Sequence, residues 1–468
     1  MSANKIFLRY YPPGEKGYYS KRSLSINCRW VILGLAINYR TLKGSERLRH
    51  FDLLDLDTKT DIEPLADKIL MQTLAEAAEE DKSPTAEEKS LATRPFSGSV
   101  SNSQNTFSAL KQALGKLQRK LREPVKKKFY LHKCHTSHIL PLTNVCFDRS
   151  GDRCITGSYD RTCHVINTQT AEVEHILTGH DNVVFSVDFN HPNCDKIVTG
   201  SFDGTAKVWS TSSGQCQCTF YGHTAELVAA EFYPLNAGSI ATASMDGTAR
   251  IYDVETAHEL HQLTHHGAEV IAARYNRDGN LLLTGSFDHT AAIWDVRSKN
   301  VCHQLRGHSA ELSNCIWNFS GSLIATGSLD HTARIWDTRK LDRELHLAAK
   351  HSDEVLDISF DAAGRLLATC SSDCTARVWQ LEGSSEQLEM LSLMAGHTDE
   401  VSKVCFSPSG CMLLTASADN TARLWLADSG MCSQVLSGHE AEVFSCAYSY
   451  SGDAILTASK DNTCRFWR

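Results

Sequence analysis

From residue 129 onward the chain sets short apolar runs between polar turns, and it does so again and again. In Leu281-Leu282-Leu283-Thr284-Gly285-Ser286-Phe287-Asp288-His289-Thr290-Ala291-Ala292-Ile293-Trp294-Asp295, two apolar runs flank one turn. The runs have strand length, and the turn lies where a hairpin needs it. The turn Asp can accept from nearby backbone N–H groups and hold the reversal. These residues therefore predict strand, turn, strand.

The same phrase occurs eight times. A His opens each copy: His138, His180, His223, His266, His308, His351, His397 and His439. An Asp follows 22 or 23 residues later: Asp160, Asp203, Asp246, Asp288, Asp330, Asp373, Asp419 and Asp461. Six residues further on stands an aromatic residue or its replacement: Ile166, Trp209, Tyr252, Trp294, Trp336, Trp379, Trp425 and Trp467. A Ser lies two before each Asp and a Thr two after it. The step is 42 or 43 residues, with one of 46 between His351 and His397. A period of roughly 40–45 residues with Gly-His and Trp-Asp marks resembles WD40 repeats, each a four-stranded propeller blade. The expected fold is all-β: an eight-bladed WD40 propeller with a small α+β N-terminal domain. The resemblance implies that His, Ser/Thr, Asp and Trp of one blade form a buried hydrogen-bonded network. Repeats one and three, with Ile166 and Tyr252, should have the weaker networks. The eighth repeat ends at Trp467 without an outer strand. Lys128-Phe129-Tyr130-Leu131-His132-Lys133 is expected to supply it and close the ring, removing an exposed edge.

Eightfold repetition also bears on catalysis. One His, Ser and Asp would invite a hydrolase reading, but eight sets at one spacing mark scaffold, and no G-x-S-x-G elbow accompanies them. No enzymatic activity is expected. The 17 cysteines are scattered through strand-like positions such as Cys146, Cys315, Cys405 and Cys446, and no Cys-x-x-Cys occurs. They read as small buried thiols in a reducing compartment, with neither metal nor cofactor.

The net charge of −8 divides unevenly. Residues 1–128 carry 23 Lys+Arg against 15 Asp+Glu; residues 129–468 carry 24 against 40. An acidic propeller is a poor binder of nucleic acid. Protein partners with basic or mixed surfaces are expected, and a monomer.

Residues 1–80 read as a small domain, 81–105 as a flexible linker, 106–128 as an amphipathic helix with a basic connector, and 129–468 as the propeller. Lys5 to Tyr11 predicts a strand ended by Pro12-Pro13-Gly14. Trp30 to Ile37 is apolar but far short of the roughly 20 residues a membrane span needs, so a buried segment is expected. Asp61 to Glu80 has helical spacing. Phe107, Leu110, Leu114, Leu117 and Leu121 make one stripe of a helix over Thr106–Arg122.

Two recurring positions remain once the scaffold is subtracted. Three residues after the His stand Glu226, Glu269, Glu311, Glu354, Glu400 and Glu442, with Pro141 and Val183 in repeats one and two. Just before the turn Asp stand Tyr159, Phe202, Met245, Phe287 and Leu329, then Ser372, Ala418 and Lys460. Both positions lie in loops tied by the His–Asp pair, so both should face one side of the disc. A carboxylate ring beside an apolar arc is expected to bind protein.

Several segments go beyond the shared repeat. His138-Ile139-Leu140-Pro141-Leu142-Thr143-Asn144-Val145, Ile155 to Cys163, and Lys460-Asp461-Asn462-Thr463-Cys464-Arg465-Phe466-Trp467-Arg468 resemble the dynein assembly factors with WD repeats. So do Phe7 to Gly14 and Asp52-Leu53-Leu54-Asp55-Leu56. The resemblance implies a cargo adaptor that couples outer-row axonemal dynein arms to intraflagellar transport in motile cilia and flagella. It would act in the cytoplasm, at the ciliary base and along the axoneme. Residues 15–51 depart from the family, being long and basic where it has a shorter acidic stretch. Trp294-Asp295-Val296-Arg297 and Trp336-Asp337-Thr338-Arg339 support the alternative, a substrate receptor of a cullin-based ubiquitin ligase.

Overall fold

In a computed structural model, the described residues are the strands Ala3–Tyr10, Leu33–Arg40 and Glu46–Asp52, and residues 128–468 except 192, 342–343 and 382–387. The two parts belong to separate compact units. The first three strands form one antiparallel sheet, with Leu8 opposite Leu35 and Leu35 opposite Phe51. Residues 33–37 of the apolar run lie in the middle strand, and residues 30–32 lie outside the described residues. The expected helices over 61–80 and 106–122, and the linker 81–105, lie outside the described residues. No helix among the described residues is long and apolar enough to cross a membrane.

The larger unit is a ring of eight four-stranded antiparallel sheets, each a blade, and in seven of them the strands lie in chain order. Blade 1 runs Leu142–Phe147, Arg153–Ser158, Cys163–Asn167, Val173–Leu177 from the inside out. The four strands differ in sequence because they differ in burial. In blade 4 the second strand, Leu281–Ser286, is buried at every position after the first. Neighbouring blades cover both of its faces, and a strand covered twice reads as a continuous apolar run. The outer strand Glu259–Leu263 of blade 3 has one buried residue, Leu263, and is correspondingly polar. Cores lie between blades: Ala243 and Ile251 of blade 3 pack with Val270, Leu282 and Trp294 of blade 4.

Blade 8 has three strands of its own: Val443–Tyr448, Ile455–Ser459 and Cys464–Trp467. Its fourth is Leu131–His135, antiparallel to Cys464–Trp467, with Trp467 opposite Leu131 and Cys464 opposite His135. This strand lies slightly later than the segment the sequence pointed to. Tyr130 extends the pairing through backbone bonds in both directions with Arg468, at 2.8 and 3.0 Å. Phe129 turns inward, buried among Met412, Leu414, Leu436 and Trp467. Its backbone N–H donates to Gln434 Oε1 at 2.9 Å, and the Gln434 amide donates back to its carbonyl. The latch is thus a strand plus an aromatic anchor.

Candidate partner-binding face

Each blade orients its loops through one chain of hydrogen bonds. The turn Asp accepts from His Nδ1 at 2.7–2.9 Å in all eight blades. A carboxylate can only accept, so Nδ1 carries the proton and a neutral ring leaves Nε2 to accept. It accepts from a Thr hydroxyl at 2.7–2.9 Å: Thr156, Thr199, Thr242, Thr284, Thr326, Thr369, Thr415 and Thr457. In six blades the Trp indole N–H donates to that Thr at 2.8–3.1 Å. Protons thus point one way, from Trp to Thr to His to Asp.

The central Thr is four residues before the Asp, inside the second strand. It is not one of the hydroxyls beside the turn. Those have other tasks: in blade 2 the Asp203 N–H donates to Ser201 Oγ at 3.1 Å, and Thr205 donates to Asp203 Oδ1 at 2.6 Å. Sequence reasoning passed over the Thr because it sits in an apolar run, although it recurs at one spacing in all eight repeats.

Burial opposes ionisation of the Asp residues, yet hydrogen bonds from Thr and His overcome it. Asp246 and Asp288 are held down at about 2, and Asp160, Asp203 and Asp330 lie lower. Burial pulls His223, His266, His351, His397 and His439 below the usual imidazole value, against the Asp bond that raises them. The His, Ser and Asp of a repeat therefore form a buried structural tie.

Blades 1 and 3 lack the indole donor. In blade 3, Tyr252 is buried beside His223, and burial pushes its phenol up to about 12. In blade 1, Ile166 leaves a different arrangement. His164 stacks on His138 with ring centres 3.7 Å apart, and His135 Nε2 lies 3.1 Å from His164 Nδ1. This buried trio has the composition of a metal site but the wrong geometry. Nearly parallel stacked rings cannot aim in-plane lone pairs at one ion, and both His138 nitrogens are engaged by Asp160 and Thr156. The other His/Cys/Asp group among the described residues lies toward the opposite face, at the far ends of the inner strands of blades 1 and 2.

The network fixes the two positions singled out in the sequence. In every blade the backbone N–H of the residue before the turn Asp donates to the carbonyl three residues after the His, at 2.9–3.0 Å. Met245 pairs with Glu226, Phe287 with Glu269, and Leu329 with Glu311. The carboxylates and the apolar side chains are thus direct neighbours on one face. Ser372, Ala418 and Lys460 pair in the same way with Glu354, Glu400 and Glu442. Lys460 Nζ reaches Glu442 Oε1 at 2.9 Å, so blade 8 answers its own carboxylate. Blades 1 and 2 carry further apolar surface that the repeat comparison missed. Ile139 is 80% exposed and Leu140 46%, beside Tyr159 at 40%. Phe185, 38% exposed, stacks on Phe202 with ring centres 5.2 Å apart. The two W-D-x-R segments form turns on the other side of the blades: Asp295 accepts from the Arg297 and Ser298 N–H groups, and Arg339 folds back onto Asp337 at 2.9 and 3.0 Å.

Comparison with known proteins agrees with the repeat fold. The family model described as "IFT122 first beta-propeller" matches residues 141–387, and "WD domain, G-beta repeat" matches 388–425 and 430–468. The protein named "Dynein assembly factor with WD repeat domains 1" from Danio rerio is 42% identical over 195 residues, and that from Homo sapiens is 40% identical over 195. Each match spans 42% of this chain and 36% of the relative, so the likeness covers about a third of the curated proteins' length. The crystal structure of the computationally designed Ika8 protein superposes with a TM-score of 0.64 at 22% identity, over 72% of this chain and 99% of that one, a likeness of fold alone. With more than half of its length matched by the first model and its last two repeats by the second, this chain belongs to the IFT122 first-propeller family of WD40-repeat proteins.

Proposed function

We propose that the chain is a non-enzymatic adaptor in the assembly of axonemal dynein, coupling outer-row dynein arms to intraflagellar transport. Its relatives carry the name of dynein assembly factors, and the propeller presents the means to hold a protein. The observation that carries the reading is the backbone pairing of apolar and acidic positions around one face. A partner with an apolar ridge beside basic residues would bury Tyr159, Phe202, Met245, Phe287 and Leu329. It would meet Glu226, Glu269, Glu311, Glu354 and Glu400 in the same contact. Buried apolar side chains supply affinity, and the carboxylates supply orientation and rate of encounter. The adaptor acts as a monomer, in the cytoplasm, at the ciliary base and in the cilium.

The test is capture by the tagged full-length chain from ciliated-cell extract. Dynein-arm and transport-train subunits are the expected companions. Recovery of cullin-ligase adaptor subunits in their place would overturn the reading.

A further inference from the structure

Where the inner strands of blades 1 and 2 end, on the side away from the Glu ring, three metal-ligating side chains gather, with Cys194 beside one of them. Cys146 lies near the end of Leu142–Phe147, and Asp188 holds the equivalent position in Val184–Phe189. Ligand atoms of Cys146, Asp188 and His191 all lie within 4.8 Å of one another. Cys146 Sγ is 3.6 Å from Asp188 Oδ1, and Cys194 Sγ is 3.4 Å from His191 Nδ1. A zinc ion about 2.3 Å from sulfur and about 2.0–2.1 Å from nitrogen or oxygen holds tetrahedral ligands roughly 3.3–3.8 Å apart. Both separations match edges of such a tetrahedron.

Three of these side chains also have neighbours outside the group. The Tyr450 hydroxyl, from blade 8, lies against the His191 ring, 3.2 Å from Nε2 and 3.3 Å from Nδ1. The Arg149 backbone N–H donates to Cys194 Sγ at 3.4 Å, a bond that favours a thiolate. The Phe189 N–H donates to Asp188 Oδ1 at 2.9 Å and fixes the carboxylate. Partners of this kind set ring orientation and ligand basicity in metal centres.

The repeat scaffold does not account for the group. The positions equivalent to Cys146 and Asp188 hold Glu231, Arg274, Ile316, Ser359, Cys405 and Ala447 in blades 3 to 8. The positive φ of Cys194, 55°, belongs to the loop itself, since Ala237 at the equivalent place in blade 3 has 51°.

We propose that Cys146, Asp188 and His191 hold a structural zinc ion that staples blade 1 to blade 2, with Cys194 drawn in from beside His191 as the fourth ligand. Two thiolates with imidazole and carboxylate select a borderline-soft cation over magnesium or calcium. The staple joins the blade whose hydrogen-bond chain lacks an indole to a neighbour whose chain is complete.

The test uses the full-length chain, purified under reducing conditions, stripped with a chelator and titrated with Co2+ and then Zn2+. The expected result is a thiolate-to-cobalt charge-transfer band with the intense visible bands of tetrahedral cobalt, complete at one equivalent and abolished by one equivalent of zinc. Cys146→Ser and His191→Ala should each weaken binding at least about tenfold. Cys194→Ser should lose part of the charge-transfer intensity. Cys216→Ser, an exposed thiol elsewhere, should bind like wild type. Circular dichroism of the metal-free variants separates lost ligation from lost fold. The proposal falls if the wild type gives no tetrahedral cobalt spectrum, if folded Cys146→Ser gives an undiminished one, or if Cys146 and Cys194 are found joined as a disulfide. An unchanged spectrum for Cys194→Ser would overturn the four-ligand set.

Discussion

The indole N–H of Trp336 donates to the Thr326 hydroxyl at 3.1 Å, and that hydroxyl in turn serves His308 at 2.9 Å. One small side chain thus satisfies two large buried groups. Thr326→Val leaves both orphaned, at about 1–3 kcal/mol for each. In blade 1, Thr156→Val orphans only His138 Nε2. Thr326→Val should therefore destabilise the protein about twice as much as Thr156→Val, read as loss of amide protection in the affected blade. Equal losses in the two blades would contradict the additive chain.

Blades 1 and 3 should open more readily than their neighbours. Each lacks one bond of the chain, so their amides should exchange faster than those of blades 4 to 7. Hydrogen exchange read by mass spectrometry checks this, and uniform protection around the ring would reject it. Zinc bound between blades 1 and 2 should narrow the difference for blade 1 and leave blade 3 unchanged.

The latch should be indispensable. Deleting residues 127–134 removes the Phe129 anchor and most of the closing strand, exposing the edge of Cys464–Trp467 to other chains. Aggregation or a markedly lower melting temperature is expected. Phe129→Ala alone should cost about 3–5 kcal/mol by leaving a cavity against Trp467 and Leu436. A chain starting at His135 that melts like the full-length protein would refute the role of the strand.

The partner-binding face separates into two contributions. Phe202, Met245 and Phe287 changed together to Ser should remove about 1.5–3 kcal/mol of binding for each side chain fully covered in the complex. Glu311, Glu354 and Glu400 changed to Lys should slow encounter with a basic partner, and wild-type affinity should fall with added salt. Neither variant touches the His–Asp ties, so both should fold. Wild-type capture of dynein-arm and transport subunits by both would place the contact elsewhere.

Acid should destabilise the propeller in two stages. Burial lowers the folded-state values of five network histidines, and it takes His135 to about 4 and His164 to about 3. Below the ordinary value of 6.5 the unfolded chain therefore binds more protons than the folded one, and stability falls as pH falls. The Asp residues, whose folded values lie below 3.8, add a second loss once pH drops past that point. Melting temperature should decline from about pH 6.5 downward and more steeply below about pH 4. A rise on moving from pH 7 to pH 5.5 would contradict the sign.

The propeller was legible because its signals recur. A turn Asp with a His 22 or 23 residues before it, eight times over, settles blade number and loop position without any one blade being strong evidence. The parts that escaped do not announce themselves by pattern. Thr326 and its counterparts look like strand filler until the hairpin sets them ten residues from an indole. The latch lay slightly later than expected because Phe129, a good strand residue, is used as an anchor. Cys146 and Asp188 stand 42 residues apart, one repeat length, so any local search for ligand spacing passes over them. The acidic and apolar positions could be aligned from sequence, but Ile139 and Phe185 belong to single repeats and have no such alignment to reveal them.

The closing strand has a consequence for biosynthesis. Leu131 leaves the ribosome roughly 340 residues before Trp467, its partner in the sheet. At about 5–20 residues per second it waits roughly 17–70 s. Throughout that time the nascent ring is an open arc, with the edge of the unfinished blade bare and Phe129 without its pocket. Blades 1 to 7 can each assemble as they emerge, but the last can form only once Trp467 has emerged. Chaperone demand should therefore peak just before the eighth repeat emerges, and a stop codon within that repeat should yield an arc that recruits quality control although nearly all of its blades are complete.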